Sequence, residues 1–310
     1  MAADATEPWE HHEEIVNGIR LHWVEQGSGP LVVLLHGFPE FWYSWRHQIP
    51  ALAGHFRVVA PDLRGYNLSE KPARGYDVET LTNDVRALVE HLGEERAVIV
   101  GHDWGGAIAW AYAVLYPDAI DRLVVMNAPH PARFLEVVRR PRQMLRSWYM
   151  LFFQLPVLPE LALGANRSWL IAQALRSSAV NKEAFSDEDL DRFREAMSRP
   201  GALTGALNYY RGLVRGAVRV RDLSREAFVR CPTLLLWGEQ DVALGKELTG
   251  PGALGPESDP PLSGLRPLGP AGTFRGGQSL PIGVPGARGR PWAPSRGCYL
   301  GPPFANRPSL

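Results

Sequence analysis

Residues Ala97-Val-Ile-Val-Gly-His-Asp-Trp-Gly-Gly106 give the strongest indication of the fold class. The first four of them are apolar, which is typical of a strand buried on both faces, and they lead into a predicted helix from about Gly105 to Tyr116. Gly101 and Gly105 stand two positions either side of Asp103. Small residues at this spacing let a strand turn sharply into a helix, so that the residue between them projects above the sheet. The stretch therefore predicts a buried strand, a tight turn that carries a carboxylate, and a helix.

The alternation of strand and helix continues on both sides of this stretch. Apolar or alternating runs predict strands at 19–24, 31–35, 57–60, 97–101, 123–127 and 233–237, and Asp77 is placed to cap a helix between the third and fourth of them. Strands that alternate with helices predict an α/β fold with a mostly parallel sheet and helices on both faces. Ligands of such sheets bind beyond the carboxyl ends of the strands, where His36, Asp103 and Asp241 lie.

The predicted organisation has four parts. An α/β core at 1–128 is followed by a helical cap at 129–228, which covers the active edge of the sheet, and by a core strand with an acidic loop at 229–248. The remaining residues, 249–310, include 13 Pro and 12 Gly between 251 and 310. Such a segment cannot bury enough apolar area to offset its ordering entropy, so it is predicted to be a disordered tail.

Composition excludes several classes of function. The 33 Lys and Arg balance the 33 Asp and Glu, and this zero net charge predicts no nucleic acid partner and no anionic membrane partner. The acidic opening segment has no apolar core and no run approaches the roughly 18 apolar residues of a membrane span, so a cytoplasmic location is predicted. With only Cys231 and Cys298, neither a disulfide framework nor a four-cysteine zinc site is expected.

A carboxylate at the strand-to-helix turn limits the chemistry. The helix N-terminus favours the ionised form of Asp103. A carboxylate oxygen can attack saturated carbon by displacement, giving an alkyl ester that water later cleaves at the acyl carbon. Epoxides and alkyl halides suit this step, whereas esterase and peptidase activities are disfavoured. An ordinary helix-capping Asp103 without chemistry is the alternative interpretation.

Cleavage of such an ester places negative charge on an oxygen of Asp103, and hydrogen-bond donors must already be aimed at it. The backbone N–H groups of Phe38 and Trp104 are the candidates, since Phe38 follows the preceding central strand. His102 is predicted to support the turn rather than to shuttle protons. The complete set predicted to support the two turns is His36, Gly37, Pro39, Gly101, His102 and Gly105.

Four motifs together resemble the epoxide hydrolase branch of the α/β-hydrolase superfamily. They are His36-Gly-Phe-Pro-Glu-Phe-Trp-Tyr-Ser-Trp-Arg-His-Gln-Ile-Pro50, Asp62-Leu-Arg-Gly-Tyr66, Gly101-His-Asp-Trp-Gly-Gly106 and Trp237-Gly-Glu-Gln-Asp241. The resemblance covers roughly residues 10–248. It implies Asp103 as nucleophile and Asp241 as the acidic member of a catalytic triad, with no metal or organic cofactor. The implied substrates are a small apolar epoxide and water, and the implied product is a vicinal diol.

The family uses two cap tyrosines to protonate the leaving alkoxide. The local patterns around residues 148–154 and 208–211 resemble the family's, which implies Tyr149 and Tyr210, with Tyr209 as the less favoured choice for the second. A phenol with a pKa of about 10 donates a proton at neutral pH. Aromatic residues that only pack within a helical cap are the alternative.

The family's mechanism also needs a histidine after the acidic residue, and here the chain departs from the pattern. All nine histidines precede Asp241: His11, His12, His22, His36, His47, His55, His91, His102 and His130. The pattern of the last strand and helix of the fold is missing too, so a truncated or frameshifted sequence after about residue 248 is expected. The remaining alternatives are a haloalkane dehalogenase with the same nucleophile and an inactive or misfolded fragment. The sequence gives no indication of the oligomeric state.

Overall fold

The computed structural model describes residues 7–179, 181–216, 229–238, 241, 243, 244 and 248. A seven-stranded sheet with the spatial order β1-β2-β4-β3-β5-β6-β7 forms its centre. The strands are β1 (Glu10–Val16), β2 (Ile19–Gln26), β3 (Leu31–Leu35), β4 (Arg57–Pro61), β5 (Ala97–His102), β6 (Ile120–Met126) and β7 (Thr233–Leu236). β3 pairs in parallel with β4 and β5, β6 pairs in parallel with β5 and β7, and β2 is antiparallel to β1 and β4. The predicted α/β fold with a mostly parallel sheet is confirmed.

The central strands are apolar because both of their faces are covered. Every residue of β3 is buried, as are Ala97 to Gly101 of β5. Continuous apolar runs are expected in this position, since a strand with one solvated face would alternate with polar residues. β3 and β5, the strands next to the proposed nucleophile, therefore lie where the sequence predicts them, and β6 begins three residues earlier than predicted.

Strand β1 lies outside the predicted strands, because Glu10 to Val16 shows no apolar alternation and is mostly exposed. It forms a hairpin with β2 in which Val16 pairs with Ile19. The two connecting residues, Asn17 and Gly18, have φ angles of 51° and 75°. Asn-Gly is the strongest short hairpin signal, and it could have revealed this strand. A charged, exposed outer strand also suits the edge of a sheet, where it discourages pairing with other chains.

Three helices accompany the first five strands. They are α1 (Gln48–Leu52), α2 (Val78–His91) and α3 (Trp104–Leu115). Asp77 caps α2 as predicted, because its carboxylate accepts the N–H of Thr80, and Gly93 follows the helix with a φ of 82°. α3 packs against β3, β5 and β6. The helix predicted from about 105 to 116 is confirmed to within one residue.

Between β6 and β7, residues 131–179 and 181–216 form six α-helices and no strand. They are α4 (Pro131–Val137), α5 (Pro141–Arg146), α6 (Trp148–Phe152), α7 (Leu158–Ser178), α8 (Asp187–Ser198) and α9 (Ala202–Arg215). A capping box formed by Ser186 and Asp189 begins α8. In the part of the chain that is described, no helix is both long enough and apolar enough to cross a bilayer. Residues 217–228, and the predicted disorder of 249–310, lie outside the described residues.

Candidate active site

Asp103 occupies the turn between β5 and α3. Its φ of 51° and ψ of −117° are costly for a residue other than glycine, and strain of this kind gathers at functional sites. A Cβ atom on Gly101 would lie 2.3 Å from the carbonyl oxygen of Gly105, and one on Gly105 would lie 2.2 Å from that of Leu35. Both positions therefore require glycine for space, as the predicted sharp turn demands.

The loop after β3 lies directly against this turn. A Cβ atom on Gly37 would lie 2.4 Å from the Cβ of Asp103, so the loop and the carboxylate are in close contact. The backbone N–H of Phe38 donates to Oδ1 of Asp103 over 2.8 Å, and the backbone N–H of Trp104 helps to lower the pKa of this carboxyl group. Pro39 is buried after a cis peptide bond. The structure thus bonds one predicted N–H donor, that of Phe38, to the carboxylate of Asp103 and places the other beside it.

His36 holds the shape of this loop from inside the core. Its Nε2 accepts the backbone N–H of Leu63 over 3.0 Å, and its Nδ1 donates to the carbonyl oxygen of Gly37 over 3.0 Å. The ring is completely buried, and burial lowers its pKa. His36 is therefore a neutral imidazole that links two loops, which agrees with a supporting role.

A buried ion pair that sequence reasoning missed lies beside the nucleophile. Oε2 of Glu40 is 3.1 Å from Nδ1 of His102 and also accepts the N–H of Gly37 over 3.1 Å. Burial lowers the pKa of His102, but the charge and hydrogen bond of Glu40, together with the charges of Asp103 and Asp241, raise it to about 9. Burial raises the pKa of Glu40, but the charge and hydrogen bond of His102, together with the N–H of Gly37, lower it below its usual value. Both groups are therefore charged at neutral pH. Glu40 stands three residues after Gly37 in a strand-end loop, which was the available signal.

The carboxyl group of Asp103 has an unusual acidity. Burial raises its pKa from 3.8 to about 6, although the charge of His102 and the two backbone N–H groups lower it. At pH 7 roughly 90% of the carboxyl groups are still ionised. A carboxylate that is ionised yet poorly solvated is more reactive than one in water, and perturbed acidity of this kind marks functional sites.

Asp241 follows β7 and is fixed by donors from two directions. Its Oδ1 accepts the backbone N–H groups of Ala243 and Leu244, each over 2.8 Å. Its Oδ2 accepts the Nδ2 group of Asn127, whose own Oδ1 accepts the N–H of Gly238 over 3.2 Å. Asn127 is a second residue that sequence reasoning missed. It follows β6 at the same edge of the sheet, so the strand-end argument applied to Asp103 could have found it.

The rings of Tyr149 on α6 and Tyr210 on α9 are in edge-to-face contact near Asp103. Their ring centroids are 5.9 Å apart with an interplanar angle of 83°, and the ring of Tyr210 lies 5.0 Å from that of Trp104. Burial raises the pKa of both phenols, and the charge of Asp103 raises it further. Both hydroxyl groups are therefore protonated and able to donate at any physiological pH.

Tyr209 is placed differently from its neighbour. Its side chain is completely buried, and its hydroxyl donates to the backbone carbonyl of Arg64 over 2.8 Å. A hydroxyl that satisfies a buried carbonyl cannot turn toward a substrate without leaving that carbonyl unpaired. This contact favours Tyr210 over Tyr209 as the second proton donor.

A cavity of about 280 Å³ lies beside Asp103 and the tyrosines at 149, 209 and 210. Asp103, Trp104, Tyr149, Tyr209 and Tyr210 line it, together with apolar side chains that include Ile108, Val114, Phe134, Met150 and Leu213. An apolar pocket with a few convergent polar groups is typical of a small-molecule site. Among the described residues, no group of three or more His, Cys, Asp or Glu is arranged to hold a metal ion.

Comparison with known proteins supports one family. A family model described as alpha/beta hydrolase fold matches residues 30–246. The AB hydrolase superfamily protein YfhM of Bacillus subtilis is 42% identical over 238 residues, which are 75% of this chain and 82% of that protein. Epoxide hydrolase 4 of Mus musculus is 41% identical over 241 residues, which are 75% of this chain. The chain spans just under two thirds, 66%, of this mouse relative.

Solved structures give the same result. The epoxide hydrolase VrEH1 of Vigna radiata is 33% identical with a TM-score of 0.67, covering 78% of this chain and 83% of that one. A Bacillus megaterium epoxide hydrolase in complex with an inhibitor is 30% identical with a TM-score of 0.72, covering 80% of this chain and 90% of that one. The similarity therefore extends over most of the described residues, including those that form the cavity.

Proposed function

This chain belongs to the α/β-hydrolase superfamily, in its epoxide hydrolase branch, and from that premise we propose that it opens epoxides by covalent catalysis on Asp103. The observation that carries the proposal is the meeting of three groups in one apolar cavity: the strained carboxylate and the protonated phenols of Tyr149 and Tyr210. A nucleophile and two acids facing it are what the ring opening of an epoxide requires.

The first step joins the substrate to the enzyme. The N–H of Phe38 occupies Oδ1 of Asp103, so Oδ2 is the oxygen that attacks an epoxide carbon. As the new C–O bond forms, the ring C–O bond breaks and its electron pair goes to the epoxide oxygen. That oxygen takes a proton from Tyr149 or Tyr210, and water later returns the proton to the phenol. The result is a hydroxyalkyl ester whose carbonyl oxygen is Oδ1.

The second step hydrolyses this ester. Water adds to the acyl carbon, and the negative charge that develops on Oδ1 is stabilised by the N–H groups of Phe38 and Trp104. A base must remove a proton from the water. His102 is poorly suited to this task, because with a pKa of about 9 it is already protonated at neutral pH. Since all nine histidines precede Asp241 in the sequence, we expect this step to be slow and the ester to accumulate.

Intact-protein mass spectrometry with styrene oxide tests the proposal. We expect the purified chain to gain the mass of one styrene oxide in a single burst, and peptide mapping to place the adduct on Asp103. Asp103→Asn should gain no mass, whereas Asp118→Asn, which changes an exposed carboxylate outside the cavity lining, should react like the unchanged chain. A folded chain that gains no mass and forms no diol would refute epoxide opening on Asp103.

The same experiment separates the remaining interpretations. Sustained diol production would show that another base hydrolyses the ester, which would contradict the slow second step. Release of halide from a chloroalkane, with no reaction on styrene oxide, would instead indicate a haloalkane dehalogenase that uses the same carboxylate. The helical cap at 129–228 and the cytoplasmic location stay predictions from the sequence.

A further inference from the structure

Large apolar side chains are exposed on the segment that runs from α5 to the first turn of α7. Besides Met144 (55%), six of them keep more than half of their accessible surface exposed: Leu145 (78%), Trp148 (62%), Leu151 (72%), Val157 (62%), Leu158 (52%) and Leu161 (67%). We call this set the 145–161 surface. Scattered exposed apolar residues are normal in a soluble domain, but a concentration of this size marks an interaction site.

Helical spacing places these side chains together. Trp148 and Leu151 are three residues apart on α6, so they share one face, and Leu145 lies in the last turn of α5 just before it. Leu158 and Leu161 have the same spacing in the first turn of α7. The other side of α6 already contributes to the core, so internal packing does not explain the apolar outer face.

The backbone that carries this surface is held in place by Arg211. Its guanidinium donates to the carbonyl oxygens of Phe153 and Leu155 over 3.0 and 2.9 Å, and it pairs with Glu160 over 2.8 Å. These bonds fix the connection between α6 and α7. The exposed side chains are therefore presented by an ordered segment.

The same segment has a strong local charge. Between residues 137 and 159 the sequence has four arginines, at 139, 140, 142 and 146, and no Asp or Glu, although Arg140 pairs with Glu136 over 3.3 Å. The next acidic residue, Glu160, is paired with Arg211. The zero net charge, from which no membrane partner was predicted, is a sum over the whole chain and conceals this asymmetry.

We propose that the 145–161 surface docks on an anionic phospholipid bilayer. Leucines enter the boundary of the acyl chains, Trp148 lies at the level of the headgroups, and the arginines face the lipid phosphates. An apolar face flanked by basic residues is the pattern of interfacial binding, whose strength combines buried apolar area with electrostatic attraction.

Charge favours a bilayer over the two other possible occupants of this surface, which are a second copy of the chain and the segment 251–310. A twofold interface would place the 145–161 surface of one copy against itself and bring two sets of four arginines together. Residues 251–310 have six Arg and only two acidic residues, so they have the same sign as the surface. Anionic lipid is the occupant that complements both the apolar and the basic character.

The position of the surface links it to the cavity. Tyr149 and Met150, which line the cavity, stand between Trp148 and Leu151 on α6. Apolar epoxides dissolve in bilayers, so docking would place the cavity close to its substrate. This link rests on the proposed function, whereas the docking itself does not, and a binding assay distinguishes the two.

Co-sedimentation of the full chain with lipid vesicles tests the proposal. We expect binding to phosphatidylcholine vesicles that contain phosphatidylserine, weaker binding to pure phosphatidylcholine, and a loss of binding with added salt. The double variant R139Q/R146Q should bind the anionic vesicles roughly 30-fold more weakly, at about 1 kcal/mol per arginine. L145S/L151S should bind at least about tenfold more weakly, because two inserted side chains are lost.

The matched control is Ile15→Ser, which removes an exposed apolar side chain from β1, away from this surface. It should bind like the unchanged chain, and circular dichroism of every variant verifies that folding is unaffected. No binding to anionic vesicles, or equal binding by L145S/L151S and I15S, would overturn the proposal. A dimer in solution that L145S/L151S dissociates, without vesicle binding, would instead assign the surface to a second copy.

Discussion

Replacement of Asp103 by Asn should abolish alkylation and at the same time stabilise the fold. Burial raises the pKa of this carboxyl group from 3.8 to about 6, so the folded chain holds its proton more tightly than the unfolded chain. The ionised form therefore costs stability above pH 6, and this cost disappears below the unfolded pKa of 3.8. Two units of pKa correspond to about 3 kcal/mol. Asn also tolerates a positive φ and keeps an oxygen for the N–H of Phe38.

Urea unfolding of both proteins between pH 4 and pH 8 measures this effect. We expect the free energy of unfolding of Asp103→Asn to exceed that of the unchanged chain by about 3 kcal/mol at pH 8, with a gain that shrinks towards zero near pH 4. Asp77→Asn should show no gain at pH 8, because hydrogen bonds from Thr80 outweigh burial and lower the pKa of Asp77. A gain that is absent at pH 8, or independent of pH, would refute the assigned electrostatics of the turn.

Three further predictions concern the proton donors, the fall of the alkylation rate at acidic pH, and the turn at Asp103. Tyr149→Phe and Tyr210→Phe should each slow alkylation by styrene oxide roughly tenfold to a hundredfold in stopped-flow measurements, and an equal loss in Tyr209→Phe would contradict the choice of donors. The alkylation rate should fall with a midpoint of about pH 6 as the nucleophile becomes protonated, and His102→Gln should move this midpoint up by about one pH unit, because a neighbouring positive charge is lost. An unchanged midpoint in His102→Gln would show that the charge of His102 does not affect the pKa of Asp103. Gly105→Ala should lower the free energy of unfolding by about 3 kcal/mol or more, since its Cβ would lie 2.2 Å from a backbone oxygen; full stability in a melting curve would contradict the assigned turn.

Much of the site could be predicted because it lies at strand ends. Apolar runs locate the buried strands, and parallel strands bring their carboxyl ends to one edge, so His36, Asp103 and Asp241 were expected to lie at the same edge. The glycines around Asp103 were predictable for the same reason, since the turn leaves no room for a Cβ. The choice of Tyr149 and Tyr210 came from the family resemblance.

Other features depend on contacts between distant residues. The pairing of Glu40 with His102 joins residues 62 positions apart, and Asn127 contacts Asp241 across 114 positions. No local pattern encodes such partners, because they are set by how neighbouring strands are ordered in the sheet. Strand β1 was missed for another reason: at an exposed edge, pairing with β2 overrides the absence of apolar periodicity.

The buried strands, the tight turn at Asp103 and the family could be inferred from the sequence, since each depends on residue type and short-range spacing. The tertiary structure was needed to show that the hydroxyl of Tyr209 is bound to the carbonyl oxygen of Arg64, and which charges surround the nucleophile. It also showed that the six side chains of the 145–161 surface stay exposed. Burial is a property of the whole packed chain, so side chains that look alike in sequence differ once the helices and the sheet are assembled.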